Sequence, residues 1–307
     1  MKIILSLFIL GYCFACTKQE LIKPYGIEVL RESDSIVFAV IGDYGYDGKP
    51  ENKVADMVKS WNPDFILTTG DNNYQKGNFS TLNNNIGKYY ADYIYNFDAS
   101  GVYKCKGRAS EEEINRFFPS PGNHDTYSSS GLTPYLNYFT LPGNELFYHF
   151  NWGPVSFYAL NSTERDMNEQ FAWLEENLAK DSANFQVVYF HHSPYSPGPH
   201  GNEDKMQWDY QAHGVELVMT GHDHIYARIE KKDEEGFYYL ITGAGGKSLY
   251  NASSNPLDSA LFSVVSYDLN YGAIQCKATT NQLVVEYYSI GTEANAVDRI
   301  VIQRANQ

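Results

Sequence analysis

The chain has 307 residues, 43% of them hydrophobic, which is enough for one large α/β domain or two small ones with a sizeable core and excludes wholesale disorder. Lys and Arg total 23 against 37 Asp and Glu, a net charge of −14, and no basic run stands out, which excludes a nucleic-acid partner. An acidic chain repels phosphate at long range, so any phosphate-handling site here needs concentrated local positive charge of the kind a metal ion brings.

The N-terminus "MKIILSLFILGYCFACTKQE" carries Lys2, an apolar run from Ile3 to Leu10 and small or aromatic residues up to Cys16. It is too short to span a bilayer and reads as a signal peptide over 1–15. Ala15-Cys16 before polar "TKQE" resembles a lipoprotein cleavage site, with Cys13 where Leu is usual. The expected location is therefore the cell envelope, exported and lipid-anchored to a membrane through Cys16, with a periplasmic or secreted protein as the alternative. A spacer over 16–34 then leads into one domain over 35–304. Two further cysteines, Cys105 and Cys276, could form a bridge or stay as free thiols.

From residue 35 one pattern recurs: a short apolar run ending in Gly with Asp, Asn or His. It appears as "SIVFAVIGDYG" (35–45), "DFILTTGDNNY" (64–74), "RFFPSPGNHD" (116–125), "FQVVYFHHSPY" (185–195) and "VELVMTGHDH" (215–224); "FYYLITGAGG" (237–246) ends similarly without ligand types. The runs are nearly continuous in Val, Ile, Leu and Phe, as in strands buried on both faces. Between them, 51–61 places Val54, Met57, Val58 and Trp61 at helical spacing, and 168–181 does so with Phe171, Leu174 and Leu178. Residues 153–161 read as another strand, 75–115 as a long irregular excursion with a helical piece, and the C-terminal part as strands joined by short turns, an antiparallel ending to an α/β domain. Ligands of α/β sheets sit at the carboxyl ends of strands, where every one of these clusters lies.

Six of the eight histidines fall at or just past such strand ends; His149 and His213 do not and read as structural. Taken singly, a Gly-Asp turn or a His-x-His pair is a weak signal. Together the clusters offer carboxylate, amide and imidazole donors in numbers too large for one tetrahedral ion, and two metals sharing a carboxylate fit better.

The ordered set "DYG" (43–45), "GDNNY" (70–74), "GNHD" (122–125), "HHSPY" (191–195) and "GHDH" (221–224) resembles the calcineurin-like metallophosphoesterases, over about residues 35 to 250. Tyr74, three residues after Asp71, narrows the resemblance to the purple acid phosphatase branch in its short, single-domain form. The resemblance implies a metallophosphoesterase-type β-sandwich flanked by helices, in α-β-β-α layers. It implies that Asp43, Tyr74 and His224 bind a first metal, usually Fe(III), and that Asn123, His192 and His222 bind a second, a divalent Fe, Zn or Mn. Asp71 would bridge the two, and His124 and His200 would face substrate and leaving group. His192 fits the His-x-Pro spacing whereas His191 does not, but which of two adjacent side chains turns inward depends on strand alternation. Hard oxygen ligands suit Fe(III), and imidazole and amide suit a divalent partner.

The activity implied is hydrolysis of a small phosphate monoester by a metal-bound hydroxide attacking in line. A phosphodiesterase or nucleotidase on the same site is one alternative; a catalytically silent surface lipoprotein is another, of a different class.

Overall fold

The computed structural model describes residues 34–95, 107–109 and 114–304. The signal, the cleavage site and Cys105 lie outside these residues. No helix among the described residues is long and apolar enough to cross a membrane.

Among the described residues thirteen strands form two mixed sheets. The first runs in the order β13-β12-β11-β1-β2-β3, and the second in the order β10-β8-β9-β7-β6-β5-β4. In the first, β1 (Ser35–Ile41), β2 (Phe65–Thr68) and β3 (Phe117–Pro119) are parallel. The C-terminal strands β11 (Gly272–Thr279), β12 (Gln282–Ser289) and β13 (Asp298–Gln303) add to β1 antiparallel, so the chain's end builds on its beginning. In the second, β5 (Val155–Ala159), β6 (Phe185–Tyr189), β7 (Leu217–Thr220) and β9 (Tyr238–Thr242) are parallel. They are flanked by antiparallel β4 (Tyr148–Trp152), β8 (Tyr226–Lys231) and β10 (Phe262–Tyr267).

The sheets face each other across aromatic rings. Phe65 of β2 meets Trp152 of β4 at 4.7 Å and Phe157 of β5 at 5.2 Å between centroids, and Phe118 of β3 stacks on Phe150 at 3.9 Å. The strand sequences explain the layering. In β6 and the residue after it, Val187 and Tyr189 join the cluster between the sheets, while Val188 and Phe190 join a second cluster on the outer face. Alternate side chains are thus buried on opposite faces, and the strand reads as one apolar run. Helix α2 (Asn168–Leu178) covers the second sheet with Leu174 and Leu178. Helix α1 (Lys49–Ser60) buries Val54, Met57 and Val58 on the other side. The order of layers is helix, sheet, sheet, helix, as the motif resemblance implies.

The excursion after Asp71 is more broken than its composition suggests. Its described helical pieces include short turns at Phe79–Thr81, Asn83–Gly87 and Lys88–Tyr90. Cys276 lies buried in β11 as a free thiol.

Candidate metal centre

Parallel strands of both sheets end at one rim, and the loops leaving them hold the site. Asp43 follows β1, Asp71 follows β2, Asn123 and His124 follow β3, His191 and His192 follow β6, and His222 and His224 follow β7. Three of these residues turn sharply: Asp43, Asp71 and His222 hold φ of 52°, 52° and 72°. Side chains other than glycine rarely adopt that conformation, and it persists where surrounding structure imposes it, characteristically at functional sites. The neighbouring glycines have no room for a side chain. A Cβ on Gly221 would lie 2.5 Å from the Asp43 carboxylate, and one on Gly70 would lie 2.6 Å from the His191 ring.

Two groups of donors result. In the first, the Tyr74 hydroxyl donates to Asp43 Oδ1 at 3.0 Å and lies 3.0 Å from His224 Nε2, which is 3.5 Å from the same carboxylate. Asp43, Asp71 and His224 each bring a ligand atom within 4.8 Å of the others. In the second, His191 Nε2 lies 3.0 Å from Asn123 Oδ1, 3.4 Å from Asp71 Oδ1 and 3.2 Å from His222 Nδ1. Asp71 belongs to both. Asn123 donates its amide N–H to the Tyr127 hydroxyl at 2.8 Å, which leaves its oxygen facing the cluster.

Of the residues singled out in the sequence, Asp43, Asp71, Tyr74, Asn123, His222 and His224 are therefore brought together. His124 stands at the edge, its Nε2 4.0 Å from Asp71, and His200 stacks on His222 with centroids 4.0 Å apart. The adjacent histidines, of which the His-x-Pro spacing favours His192, both lie at the cluster. His191 continues the phase of Val187 and Tyr189 and points into the cluster, fully buried. His192 falls in the other phase; its backbone N–H and ring Nδ1 both meet Ser162 Oγ at 2.9 Å. It stays close all the same, with a ring nitrogen within 4.8 Å of those of His191 and His222.

The residues fit metal ions. His191 Nδ1 is 2.8 Å from the Thr69 carbonyl and His224 Nδ1 is 2.7 Å from the Ser248 carbonyl. A carbonyl only accepts, so each Nδ1 carries a hydrogen and a neutral ring presents a bare Nε2 to carboxylate and amide oxygens. Toward those oxygens this sets acceptor beside acceptor, which a cation at Nε2 relieves; the remaining neighbours are His222 Nδ1 at His191 and the Tyr74 hydroxyl at His224. Burial pulls both rings down, but Asp71 and Asp43 beside His191, and Asp43 beside His224, outweigh it and raise them. Asp43 is held low despite its burial, by His191 and His224. Tyr74 is raised by burial and by both carboxylates, so forming its phenolate requires a local cation. Burial and His191 push His192 down to about 2, and burial with the neighbouring imidazoles lowers His222, so both are neutral rings.

Sequence reasoning missed the support beneath the site. Asn72 donates to the Ser120 carbonyl and to Asp125, both at 2.9 Å, and accepts from Tyr44 at 3.0 Å and from Thr68. Asp125 in turn accepts from the Gly122 N–H at 2.9 Å, tying the second strand-end loop to the third. Burial and the charge of Asp71 push the Asp125 carboxyl up to about 6.

Comparison with known proteins agrees with this geometry. The sequence profile of the calcineurin-like phosphoesterases matches residues 36–226. Purple acid phosphatase 17 of Arabidopsis thaliana is 24% identical over 294 residues, covering 86% of this chain and 84% of that protein. Purple acid phosphatase 3 of the same plant is 24% identical over 248 residues, covering 71% of this chain and 65% of that protein. Purple acid phosphatase PPD1 from yellow lupin (Lupinus luteus) superposes with a TM-score of 0.67 at 16% identity, over 89% of this chain, which spans 54% of that one. GAP50 of Plasmodium, an anchor in the inner membrane complex, has the same TM-score at 18% identity and covers 89% of this chain and 90% of its own. With five ligand-bearing loops converging on one rim and a profile match across most of the domain, the chain belongs to the calcineurin-like phosphoesterase family.

Proposed function

We propose that this protein is a two-metal phosphatase of the purple acid type that hydrolyses small phosphate monoesters. The observation that carries this reading is Tyr74. Its hydroxyl sits 3.0 Å from both Asp43 and His224, in the half of the site richest in anionic oxygen. Asp43, Tyr74 and His224 would hold a hard trivalent ion such as Fe(III), and Asn123, His191 and His222 a divalent Fe, Zn or Mn, with Asp71 between them. His191, rather than His192, takes the second-metal role because its Nε2 is the ring nitrogen that meets Asn123 and Asp71.

The ions, when bound, supply a positive clamp for phosphoryl oxygens and lower the pKa of the attacking water. The chain's own residues do the rest. The Thr69 and Ser248 carbonyls fix the tautomers of His191 and His224. The Gln75 carbonyl, 2.7 Å from His124 Nδ1, orients that ring so its Nε2 faces the pocket side of Asp71. His200 is anchored by its backbone N–H donating to Asp223 at 3.1 Å and would face the leaving group. A protonated imidazole at His124 or His200 donates to the departing alkoxide. The N-terminal motif supports export with a lipid anchor at Cys16.

The test is turnover of a simple aryl phosphate monoester against its diester, with metals counted on the same sample. Two metals per chain and a monoester preference support the reading. A diester preference reassigns the site to phosphodiester chemistry, and fewer than one metal per chain favours a silent binding protein.

A further inference from the structure

The paired histidines after β6 are the same residue type in near-identical places, yet their hydrogen bonds are of opposite kind. His191 Nδ1 meets a carbonyl, which can only accept. His192 Nδ1 meets a hydroxyl, Ser162 Oγ, which can do either. Ser162 is fully buried, and its oxygen already receives the His192 backbone N–H at 2.9 Å. Among the described residues the only acceptor in reach of the Ser162 hydroxyl hydrogen is His192 Nδ1. Were Nδ1 to donate instead, that buried hydrogen would have no partner, and orphaned buried donors are costly. The ring therefore accepts at Nδ1, and in its neutral form its hydrogen is on Nε2. A nitrogen carrying a hydrogen has no lone pair for a metal; it is a donor.

Ser162 is itself clamped. Gln170, buried on α2, accepts from the Asn161 backbone N–H at 2.8 Å and donates back to the Asn161 carbonyl at 3.0 Å. Nothing in the metal ligand set needs this relay from helix to loop to imidazole. It delivers the His192 ring to the edge of the cluster, its centroid 4.5 Å from that of His222.

We propose that His192 is a fixed, neutral hydrogen-bond donor to a phosphoryl oxygen rather than a metal ligand, with Ser162 as the positioning residue that sets its tautomer. The identity of the oxyanion rests on the phosphatase reading above. No proton is transferred; Nε2–H stays on the ring and stabilises the oxygen by hydrogen bonding.

The test measures metal content and the dissociation constant of inorganic phosphate for the full chain reconstituted with both metals, folding being checked by circular dichroism. In His192→Ala the account expects two metals per chain, as in the parent, and roughly tenfold weaker phosphate binding. His192→Gln, whose amide N–H also reaches forward, recovers most of the loss. Ser162→Ala weakens phosphate binding too, and Ser162→Thr restores it. Loss of one metal in His192→Ala makes the residue a ligand and overturns the proposal; unchanged phosphate affinity makes it a bystander and does the same. A loss in His192→Ala with none in Ser162→Ala removes the positioning role. If the parent binds phosphate but hydrolyses no ester, the phosphatase reading fails while this measurement still decides the role of His192; if it binds no phosphate, both fail.

Discussion

The two halves of the metal centre are built from different chemistry. The first half is anionic and closed: Asp43, Tyr74 and His224 are 0%, 2% and 4% exposed. The second half is built from amide and imidazole and is open on one side, although His191 within it is fully buried. Asn123 and His222 are only partly buried, and the aromatic edge around them includes Tyr127, 52% exposed. Asp71 joins the halves with one carboxylate. The division places fixed negative charge where a trivalent ion would be held permanently, and leaves amide and imidazole where substrate has to enter. Both halves draw loops from both sheets, so neither sheet alone makes a site.

The largest effect is expected from removing one corner of the open half. His191→Ala should reduce the bound metals from two to one and lower turnover by more than about 100-fold, beyond what changes around a metal's ligands usually cost. Metal analysis beside kinetics checks it; two metals retained with normal rates would show that His191 is not a ligand.

Next comes the support that both halves share. Asn72 satisfies four partners in a fully buried position, so Asn72→Ala leaves Thr68, Tyr44, Asp125 and the Ser120 carbonyl short of a bond each. A loss of about 2–4 kcal/mol in denaturant unfolding is expected, from several orphaned buried groups. Both metals should weaken together, and selective loss of one would contradict a shared support.

A smaller effect sharpens the account of the closed half. Glu51, in the first turn of α1, is fully buried and neither carboxyl oxygen has a partner among the described residues. It packs behind the Asp43 loop, close enough that a Cβ on Gly246 would meet Glu51 Cβ at 2.9 Å and the Tyr44 carbonyl at 2.7 Å. Burial, with help from Asp47, pushes its carboxyl up to about 10. A folded pKa above the unfolded one means that stability is full below about pH 4.5 and falls as pH rises toward about 10. Glu51→Gln should flatten that slope and raise stability at pH 8 by about 1–2 kcal/mol. Melting curves between pH 5 and pH 9 test this, and an unchanged slope would show that Glu51 is solvated or paired.

Much of this was legible in the sequence because the information is local. Asp43, Asp71, Asn123 and His222 each sit at the end of an apolar run, and a strand-end cluster is a pattern of neighbours. The continuous runs also announced strands buried on both faces. What stayed hidden depends on phase or on distant partners. Whether His191 or His192 faces inward follows from which face of β6 meets the other sheet. The bonds of Asn72 to Tyr44, Ser120 and Asp125 join residues 28, 48 and 53 apart, and the hold of Ser162 on His192 joins residues 30 apart, which no local pattern encodes. The same is true of the sheet order: that β11 would pair with β1 could not be read from either strand alone.

The central claim is that Tyr74 is a metal ligand in the closed half. The most direct measurement is the visible absorption spectrum of the iron-loaded protein and of Tyr74→Phe, with iron counted in both. The account predicts a tyrosinate-to-Fe(III) charge-transfer band in the parent that disappears in the variant while the iron stays bound. A band that survives in Tyr74→Phe, or an iron-loaded parent without one, would contradict it.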